Sequence, residues 1–278
     1  MNQSIADLIQ QRFGIPSRAG HSMPAQGTLA QQLAHRSHRR FADRPVDDEV
    51  FEIALCAALS APSKSDLQQA SIVDVRDPRL RDGIHALVPA MPWMAGAPRF
   101  LVFCGDNRRL RRIAELRNKP FPNDTLDMFM NAAVDAALVM QSFITAAEAL
   151  GLGCCPISLI RDEVERLGEM LHLPQGVFPV AGLCVGHPAD EGRLSMRLPP
   201  TITVHRDHYD PSRFDDELSA YDARRALREP TAVDRQKQVQ RWGVAGQYTW
   251  SEDKARQYSV PQRHDFGSYV RAQGFALK

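Results

Sequence analysis

Apolar side chains recur along most of this chain at helical spacing, and short apolar runs between those segments indicate strands. The helical pattern predicts a short amphipathic helix within residues 1–30, with Ile5, Leu8, Ile9 and Phe13 as its apolar positions. It also predicts helices over 29–36, 49–60, 78–87, 125–150 and 161–171. The apolar runs predict strands over 70–74, 99–104, 154–159 and 178–185. After residue 200 the chain becomes polar, which indicates helices and loops with little core of their own.

The segment 125–150 carries the longest helical pattern and is apolar on nearly all sides. Such a helix is expected to be buried on several sides, as the core of a domain or of a dimer interface. Strands and helices do not alternate strictly along the chain, so an α+β fold is favoured over a doubly wound parallel sheet.

Composition narrows the possible partners. Lys and Arg total 34 against 33 Asp and Glu, a formal net charge of +1. This balance lacks the positive surplus that nucleic acids and anionic membranes select, so neither partner is predicted. The amino terminus has no apolar signal-peptide core, and no apolar run long enough to span a bilayer escapes interruption by charge. A cytoplasmic protein is therefore expected.

Several kinds of chemistry lack their usual sequence signatures. The five cysteines include no CxxC pair, which indicates reduced thiols instead of a disulfide framework or a zinc site. His205 and His208 lie close to two aspartates, but a solvated loop is favoured there over a metal site. No GxSxG, Walker, HExxH or GxGxxG motif occurs, so any nicotinamide nucleotide would bind without a Rossmann unit.

Two segments concentrate groups that bind polar ligands. His35-Arg36-Ser37-His38-Arg39-Arg40-Phe41 follows a predicted helix and offers arginine forks with a hydroxyl, which suit a phosphate group. The alternative for this segment is a solvated basic face. The second segment, Ala61-Pro62-Ser63-Lys64-Ser65-Asp66-Leu67-Gln68, is a loop between a helix and a strand and is rich in hydrogen-bonding side chains. Loops of this kind hold polar ligands against a rigid scaffold.

These motifs, in their order and spacing, resemble the nitroreductase family, and within it the oxygen-insensitive NADPH:FMN branch. The resemblance rests on HRSxRRF, APSxxDxQ, the long helix ending in LGLG, and FPVAGLCVGHPAD followed by Arg197-Leu198-Pro199. It covers roughly residues 29–222 and continues more weakly to the carboxyl end. It implies a nitroreductase-like fold, with a mostly antiparallel central sheet flanked by helices in an intertwined homodimer. The chain would then comprise a helical arm (1–28), an FMN-binding domain (29–222) and an extension that wraps the dimer (223–278).

The resemblance also assigns roles to residues at matching positions. The HRSxR segment would bind the FMN phosphate and ribityl chain, with the phosphate also reached from the other side by a more distant arginine. The loop and the strand after LGLG would lie against the flavin ring. The matching residues are His35, Arg36, Ser37, Arg39 and Arg197 for the first role, Ser63, Ser65 and Gln68 for the loop, and Pro156, Ile157 and Ser158 for the strand.

The activity implied is transfer of hydride from NADPH or NADH through FMN to a small acceptor, by a ping-pong mechanism. The acceptor would be a nitroaromatic, a quinone or a flavin, and the chemistry would be carried by FMN instead of a catalytic side chain. The alternatives are a flavin carrier or sensor without turnover, an enzyme of different chemistry on the same scaffold, such as flavin destruction or reductive dehalogenation, and a structural domain that binds no flavin. An arginine cluster offers a site for the 2′-phosphate of NADPH, with plain surface as the alternative; it comprises Arg224, Arg225, Arg228 and Arg235.

The sequence departs from the family pattern at two places. Ser195-Met196-Arg197 stands where close relatives carry Lys-Pro-Arg, which removes one positive charge from the phosphate site. Ser158-Leu159 stands where they carry a glycine pair, so a bulkier side chain would narrow the pocket beside the flavin. Met91 and Trp93 either line the substrate side or pack in the core. The preference between NADH and NADPH, the physiological acceptor and the role of the arm are left open by the sequence.

Overall fold

The computed structural model describes residues 3–276, and the chain forms two compact units. One contains the described part of 1–35 together with 193–262. The other contains 36–192 and the chain from 263 onward. The predicted division at residues 28 and 222 remains a prediction.

The unit formed by 36–192 and the chain from 263 is built on a four-stranded sheet in the order β1-β2-β4-β3, with every neighbouring pair antiparallel. Ala70 pairs with Gly105 at one end of the sheet, and Gly153 pairs with Gly186 at the other. The strands are β1 (Ala70–Asp74), β2 (Arg99–Asp106), β3 (Gly153–Ile157) and β4 (Val177–Gly186). The mostly antiparallel sheet and the α+β class are confirmed.

Helices cover both faces of this sheet because its central strands are apolar on both sides. Leu101 and Phe103 face one hydrophobic cluster, whereas Phe100 and Val102 face the other. The first cluster is closed by α3 and α6 and the second by α4, α7 and the turn at 92–96. The helices of this unit are α3 (Asp48–Leu59), α4 (Pro78–Ala86), α5 (Arg108–Leu116), α6 (Leu126–Ala149), α7 (Val164–Met170) and α12 (Phe266–Ala272).

The long helix α6 begins at the N-cap Thr125, whose hydroxyl accepts from the Met128 N–H. Its inner face packs on α3 and the sheet, and includes Phe143 and the carboxylate Asp135. One face of α6 carries large apolar side chains, spaced by four residues, that are exposed in the single chain. They are Leu126, Met130, Val134 and Leu138.

Among residues 3–276, α6 is the one helix whose length and composition would allow it to cross a membrane. Core helices of soluble proteins meet the same criterion. The contacts of α6 with α3 and with the sheet are those of a core helix.

The other unit is mainly helical, and the amino-terminal arm folds back on its own chain. A capping box joins Ser4 and Asp7 at the start of the first helix. The Ile5 N–H donates to Met23 O at 2.8 Å, which returns the chain to the second helix. The helices of this unit are α1 (Ile5–Phe13), α2 (Gly27–Ala34), α8 (Pro200–Thr203), α9 (Phe214–Arg228), α10 (Val239–Trp242) and α11 (Trp250–Gln257).

Candidate functional site

The basic segment after α2 lies along the outer edge of β3. Ser37 forms a parallel bridge with Cys154, and the His38 N–H donates to Cys154 O at 2.9 Å. Farther along, the Ala42 N–H donates to His187 O at 2.8 Å. The segment from Ser37 to Ala42 is therefore held in extended form between β3 and the chain that follows β4.

Two glycines permit this close approach. A Cβ at Gly153 would lie 2.8 Å from the ring of His38 and 2.9 Å from Pro188, closer than real contacts allow. Gly192 has a φ of +64°, and a Cβ there would lie 2.9 Å from the His38 ring. These positions thus place the basic segment against the strand.

Arg36 has an unused donor. Its Nη1 donates to Glu191 O at 3.2 Å, but its buried Nε has no hydrogen-bond partner among residues 3–276. A buried guanidinium N–H without a partner is costly, and an anion would satisfy it. Arg36 therefore fits the predicted role of phosphate ligand.

Arg39 adds positive charge near β3. Burial raises the pKa of the Cys155 thiol, and the charge of Arg39 acts in the opposite direction. The Arg39 guanidinium lies 6.0 Å from the ring of Trp93. Met91 and Trp93 are partly buried against the second hydrophobic cluster, which accords with the packing alternative for both.

The strand β3 is shorter than predicted. It ends at Ile157, so Ser158 and Leu159 lie outside it, contrary to the predicted strand over 154–159. Ser158 has helical dihedral angles and leads into a 3-10 turn at Leu159–Arg161. The Arg161 guanidinium donates to Val180 O, which holds this turn against β4.

The earlier end of β3 affects the predicted contacts with the flavin ring. Pro156 is exposed on the edge strand and has no N–H. Ile157 is buried, at 1% exposure. A backbone donor at these three positions must therefore come from Ile157 or Ser158.

The polar loop before β1 is organised by Asp135 of α6, which is 1% exposed. Its carboxylate accepts from Ser63 Oγ at 2.7 Å, Lys64 N at 3.1 Å and Gln69 N at 3.0 Å. The Gln68 N–H in turn donates to Ser63 Oγ at 2.7 Å. The Ser63 hydroxyl is thus used to hold the loop.

The same loop contains left-handed backbone at three residues other than glycine. The φ angles are 51° at Ser65, 56° at Asp66 and 51° at Gln68. The side chains of Ser65 and Gln68 are exposed, and Gln68 Nε2 donates to Asp66 Oδ1 at 3.0 Å. These two side chains, unlike that of Ser63, lie on the outer surface.

Asp135 was not predicted as a site residue from the sequence. Its signal was a single carboxylate within the apolar run Ala132-Ala133-Val134-Asp135-Ala136-Ala137-Leu138. A charged residue on the inner face of a core helix needs partners, and loop N–H groups supply them here.

The two predicted parts of the flavin site lie at opposite edges of the sheet. The loop 61–69 leads into β1, and the basic segment lies along β3. The strands β2 and β4 lie between them, with hydrophobic clusters on both faces. A single chain therefore does not bring both parts to one flavin ring.

His35 and Arg197 belong to the unit formed by 3–35 and 193–262. His35 is the residue that follows α2, and Arg197 Nη1 donates to Ser195 Oγ at 2.7 Å. The Ser195 hydroxyl thus orients the neighbouring arginine. A cavity of about 840 Å³ in this unit contains neither residue, so its size does not mark the predicted flavin site.

The comparisons with known proteins decide the family. A model of the nitroreductase family matches residues 33–187, and a model of the family's C-terminal domain matches 195–278. The chain belongs to the nitroreductase family. The predicted family and fold are therefore confirmed. The arm before residue 33 lies outside both family models.

Three similar proteins illustrate the relationship. The oxygen-insensitive NADPH nitroreductase of Salmonella typhimurium is 33% identical, over 90% of this chain and 99% of its own length. The FMN reductase [NAD(P)H] of Bacillus subtilis is 37% identical, over 68% of this chain and 77% of its own length. The structure of B. megaterium NfrA2 superposes with a TM-score of 0.81 at 32% identity, covering 90% of this chain and 98% of that one.

Proposed function

We propose that this chain transfers reducing equivalents from NADPH or NADH, by way of FMN, to small acceptors, and that two copies of the chain complete each flavin site. The chain is an NAD(P)H-dependent, FMN-using oxidoreductase of the nitroreductase family. The observation that carries the site assignment is the buried Nε of Arg36, which has no hydrogen-bond partner among residues 3–276. Arg36 immediately precedes Ser37, which is bridged to β3.

When bound, FMN would supply the hydride-transfer chemistry. The protein's own residues bind and orient it. In the unit that contains 36–192, Arg36, Ser37 and Arg39 supply cations and donors for the phosphate and ribityl chain. In the other unit, His35 and Arg197 are the residues assigned to the phosphate. The edge of β3, at Pro156, Ile157 and Ser158, supplies backbone groups for one side of the ring.

The remaining contacts would come from the loop of the second copy, through Ser65 and Gln68. Ser63 is one layer behind them because its hydroxyl is bonded to Asp135. Three residues with left-handed backbone, and two that donate to the Asp135 carboxylate, hold the loop from Ser63 to Gln68 in one shape before ligand binds. This arrangement requires a homodimer.

The exposed apolar stripe of α6 supports that dimer. Leu126, Met130, Val134 and Leu138 are 37–61% exposed on one helix face. Continuous apolar surface of this kind marks a contact surface, and obligate dimer interfaces resemble a core cut in half. We assign this stripe to the interface between two copies.

The acceptor is proposed to be a nitroaromatic, a quinone or a free flavin, in a cytoplasmic protein that binds neither nucleic acid nor membrane. Of the arginines considered for NADPH, Arg225 pairs with Glu229 at 3.1 Å and Arg228 donates to Gln11 O. Arg224 retains buried Nε and Nη2 atoms without hydrogen-bond partners among residues 3–276. Arg224 is therefore the strongest candidate of this cluster for an anion of the nucleotide.

The test is an absorbance titration of the purified protein with FMN, followed by one equivalent of NADPH without oxygen. Bound oxidised-flavin bands that disappear on NADPH addition and return with a quinone support the proposal. Arg36→Ala should weaken FMN binding about tenfold or more, whereas Arg40→Ala, which removes an exposed arginine 3.4 Å from Asp190, should leave it nearly unchanged. Protein that binds no FMN contradicts the proposal, and bound FMN that NADPH does not reduce indicates a carrier.

A further inference from the structure

Arg12, near the end of α1, joins two segments that are distant in sequence. Its side chain is buried, with the residue 5% exposed. Nε and Nη2 donate to Leu33 O at 2.9 and 2.7 Å, Nη2 also donates to His35 O at 2.5 Å, and Nη1 donates to Ser195 O at 2.9 Å. One guanidinium thus binds carbonyls in both chain segments of this unit.

The backbone of α1 reinforces this link. The Arg197 N–H donates to Arg12 O at 2.9 Å. Gly14 ends the helix with a φ of +69°, and a Cβ there would lie 2.3 Å from Met196 Cε. Met196 is 1% exposed, and its N–H donates to Glu229 Oε1 at 2.9 Å. The segment from Ser195 to Arg197 is therefore held between α1 and α9.

Two of the three carbonyls bound by Arg12, those of Leu33 and His35, lie at the end of α2. The helix ends at Ala34, and the last carbonyls of a helix have no intrahelical partner. An arginine can donate to these carbonyls, and its positive charge is stabilised by the negative end of the helix dipole. Arg12 performs this capping from a different helix, immediately before the basic segment begins.

We propose that Arg12 is a positioning residue for the flavin phosphate. It fixes the end of α2, which carries His35, relative to the segment that carries Arg197, so both phosphate ligands keep one spacing before FMN arrives. This inference rests on the proposed function. It gives a role to the arm, which lies outside the residues 33–187 and 195–278 matched by the family models.

Preorganisation explains why such a brace matters. Ordering a side chain or segment at the moment of binding reduces affinity, and this cost is avoided when the site is already formed. Arg197 is fixed twice, through its N–H to Arg12 and through its side chain to Ser195 Oγ at 2.7 Å. Loss of Arg12 would release the carbonyl of Ser195 and the end of α2 together.

The test compares FMN with riboflavin, which has the same ring and ribityl chain but no phosphate. The ratio of the riboflavin Kd to the FMN Kd measures what the phosphate contributes. Arg12→Ala should lower this ratio about tenfold with little change in the riboflavin Kd, because only phosphate ligands are displaced. Arg12→Lys keeps the charge but cannot reach all three carbonyls, so it should give an intermediate ratio.

Arg18→Ala is the matched control, since it removes an exposed arginine from the same arm, and it should leave the ratio unchanged. Arg197→Ala should lower the ratio. The double variant with Arg12→Ala should lower it little further, because both changes remove the same phosphate contact. An unchanged ratio in Arg12→Ala, or an equal rise of both Kd values, overturns the proposal. Should Arg12→Ala fail to fold, an unchanged ratio in Arg12→Lys overturns it. A wild-type protein that binds FMN no better than riboflavin overturns both this inference and the phosphate site.

Discussion

The Ser63 hydroxyl lies 2.7 Å from the Asp135 carboxylate, which joins the polar loop to the middle of the core helix α6. Two backbone N–H groups, from Lys64 and Gln69, bind the same carboxylate. The loop therefore takes its shape from a residue that need not touch a ligand. Its left-handed residues depend on this anchor, because such backbone persists only where the surroundings enforce it.

Replacing Asp135 by Asn should destabilise the protein by about 2–4 kcal/mol, because an amide nitrogen would face N–H donors in a buried site. It should also weaken FMN binding through the loosened loop. Urea unfolding and an FMN titration measure the two effects. Asp127→Asn, an exposed change on the same helix, should cost less than about 0.5 kcal/mol. Equal losses in both variants would contradict this assignment.

Within the loop, Ser63 and Ser65 should behave differently. Ser63→Ala removes a hydroxyl that donates to Asp135 and accepts from the Gln68 N–H, so it should cost about 1–2 kcal/mol of unfolding free energy. Ser65→Ala changes an exposed side chain and should alter stability little. Paired denaturant titrations test the contrast, and the reverse order would show that Ser63 does not anchor the loop.

Gly153→Ala should reduce the free energy of flavin binding by more than it reduces the free energy of unfolding. The added methyl would collide with the His38 ring and Pro188 and displace the basic segment from β3. We expect the FMN Kd to rise about tenfold. Gly96→Ala is the control, since a Cβ there meets nothing within 4 Å. Wild-type affinity for FMN in Gly153→Ala would show that the basic segment is not part of the flavin site.

His85 should make stability depend on pH. Its two ring nitrogens are buried without hydrogen-bond partners among the described residues, and its ring lies 5.6 Å from that of Phe100. Burial, and then the charge of Arg81, lowers the pKa of His85 from its ordinary value of 6.5. The unfolded chain therefore takes up a proton at a higher pH than the folded protein does. This contribution to stability is present above pH 6.5 and is lost as the pH falls toward the folded pKa.

Unfolding free energies measured at several pH values above and below 6.5 test this pH dependence. His85→Gln should reduce the loss of stability on acidification, because the titrating group is gone. His264→Gln, which replaces an exposed histidine, should leave the pH profile as in the wild type. A His85→Gln profile identical to wild type would assign the acid sensitivity to other groups.

The α6 stripe should control assembly. Met130→Glu places a charge in the middle of a face whose side chains are exposed in the single chain, so the monomer should fold normally. Charged groups are poorly tolerated at an interface core, and the variant should therefore be monomeric in sedimentation or light scattering. Leu116→Glu, an equally exposed apolar site on α5, is the control. A Met130→Glu dimer of wild-type affinity would place the interface elsewhere.

Much of the architecture follows from local signals in the sequence. The strand over 70–74 matches β1, and the long helix predicted over 125–150 differs by one residue at each end from Leu126–Ala149. Periodicity and the cap Thr125 explain this agreement, because both act through neighbouring residues. The helix predicted over 161–171 was too long, since contacts with β4 turn the chain before Val164.

The candidate site was harder to predict from the sequence, because the contacts that hold it join residues distant in the chain. The roles of Arg12 and Asp135 depend on partners far along the chain, and neither belongs to a motif. Charge alone did not separate Arg36, with its unpaired buried nitrogen, from Arg40, which pairs with Asp190. A phosphate site and a solvated basic face have the same composition, and only packing distinguishes them.

The placement of the basic segment at β3 and of the polar loop at β1 has a genetic consequence. In the proposed dimer each flavin site takes one part from each copy, so a lesion in either part damages both sites of a homodimer. A mixed dimer of an Arg36 variant and an Asp135 variant would concentrate both lesions in one site and leave the other intact. Two variants of this kind, each impaired in FMN binding, should therefore recover activity when they exchange subunits.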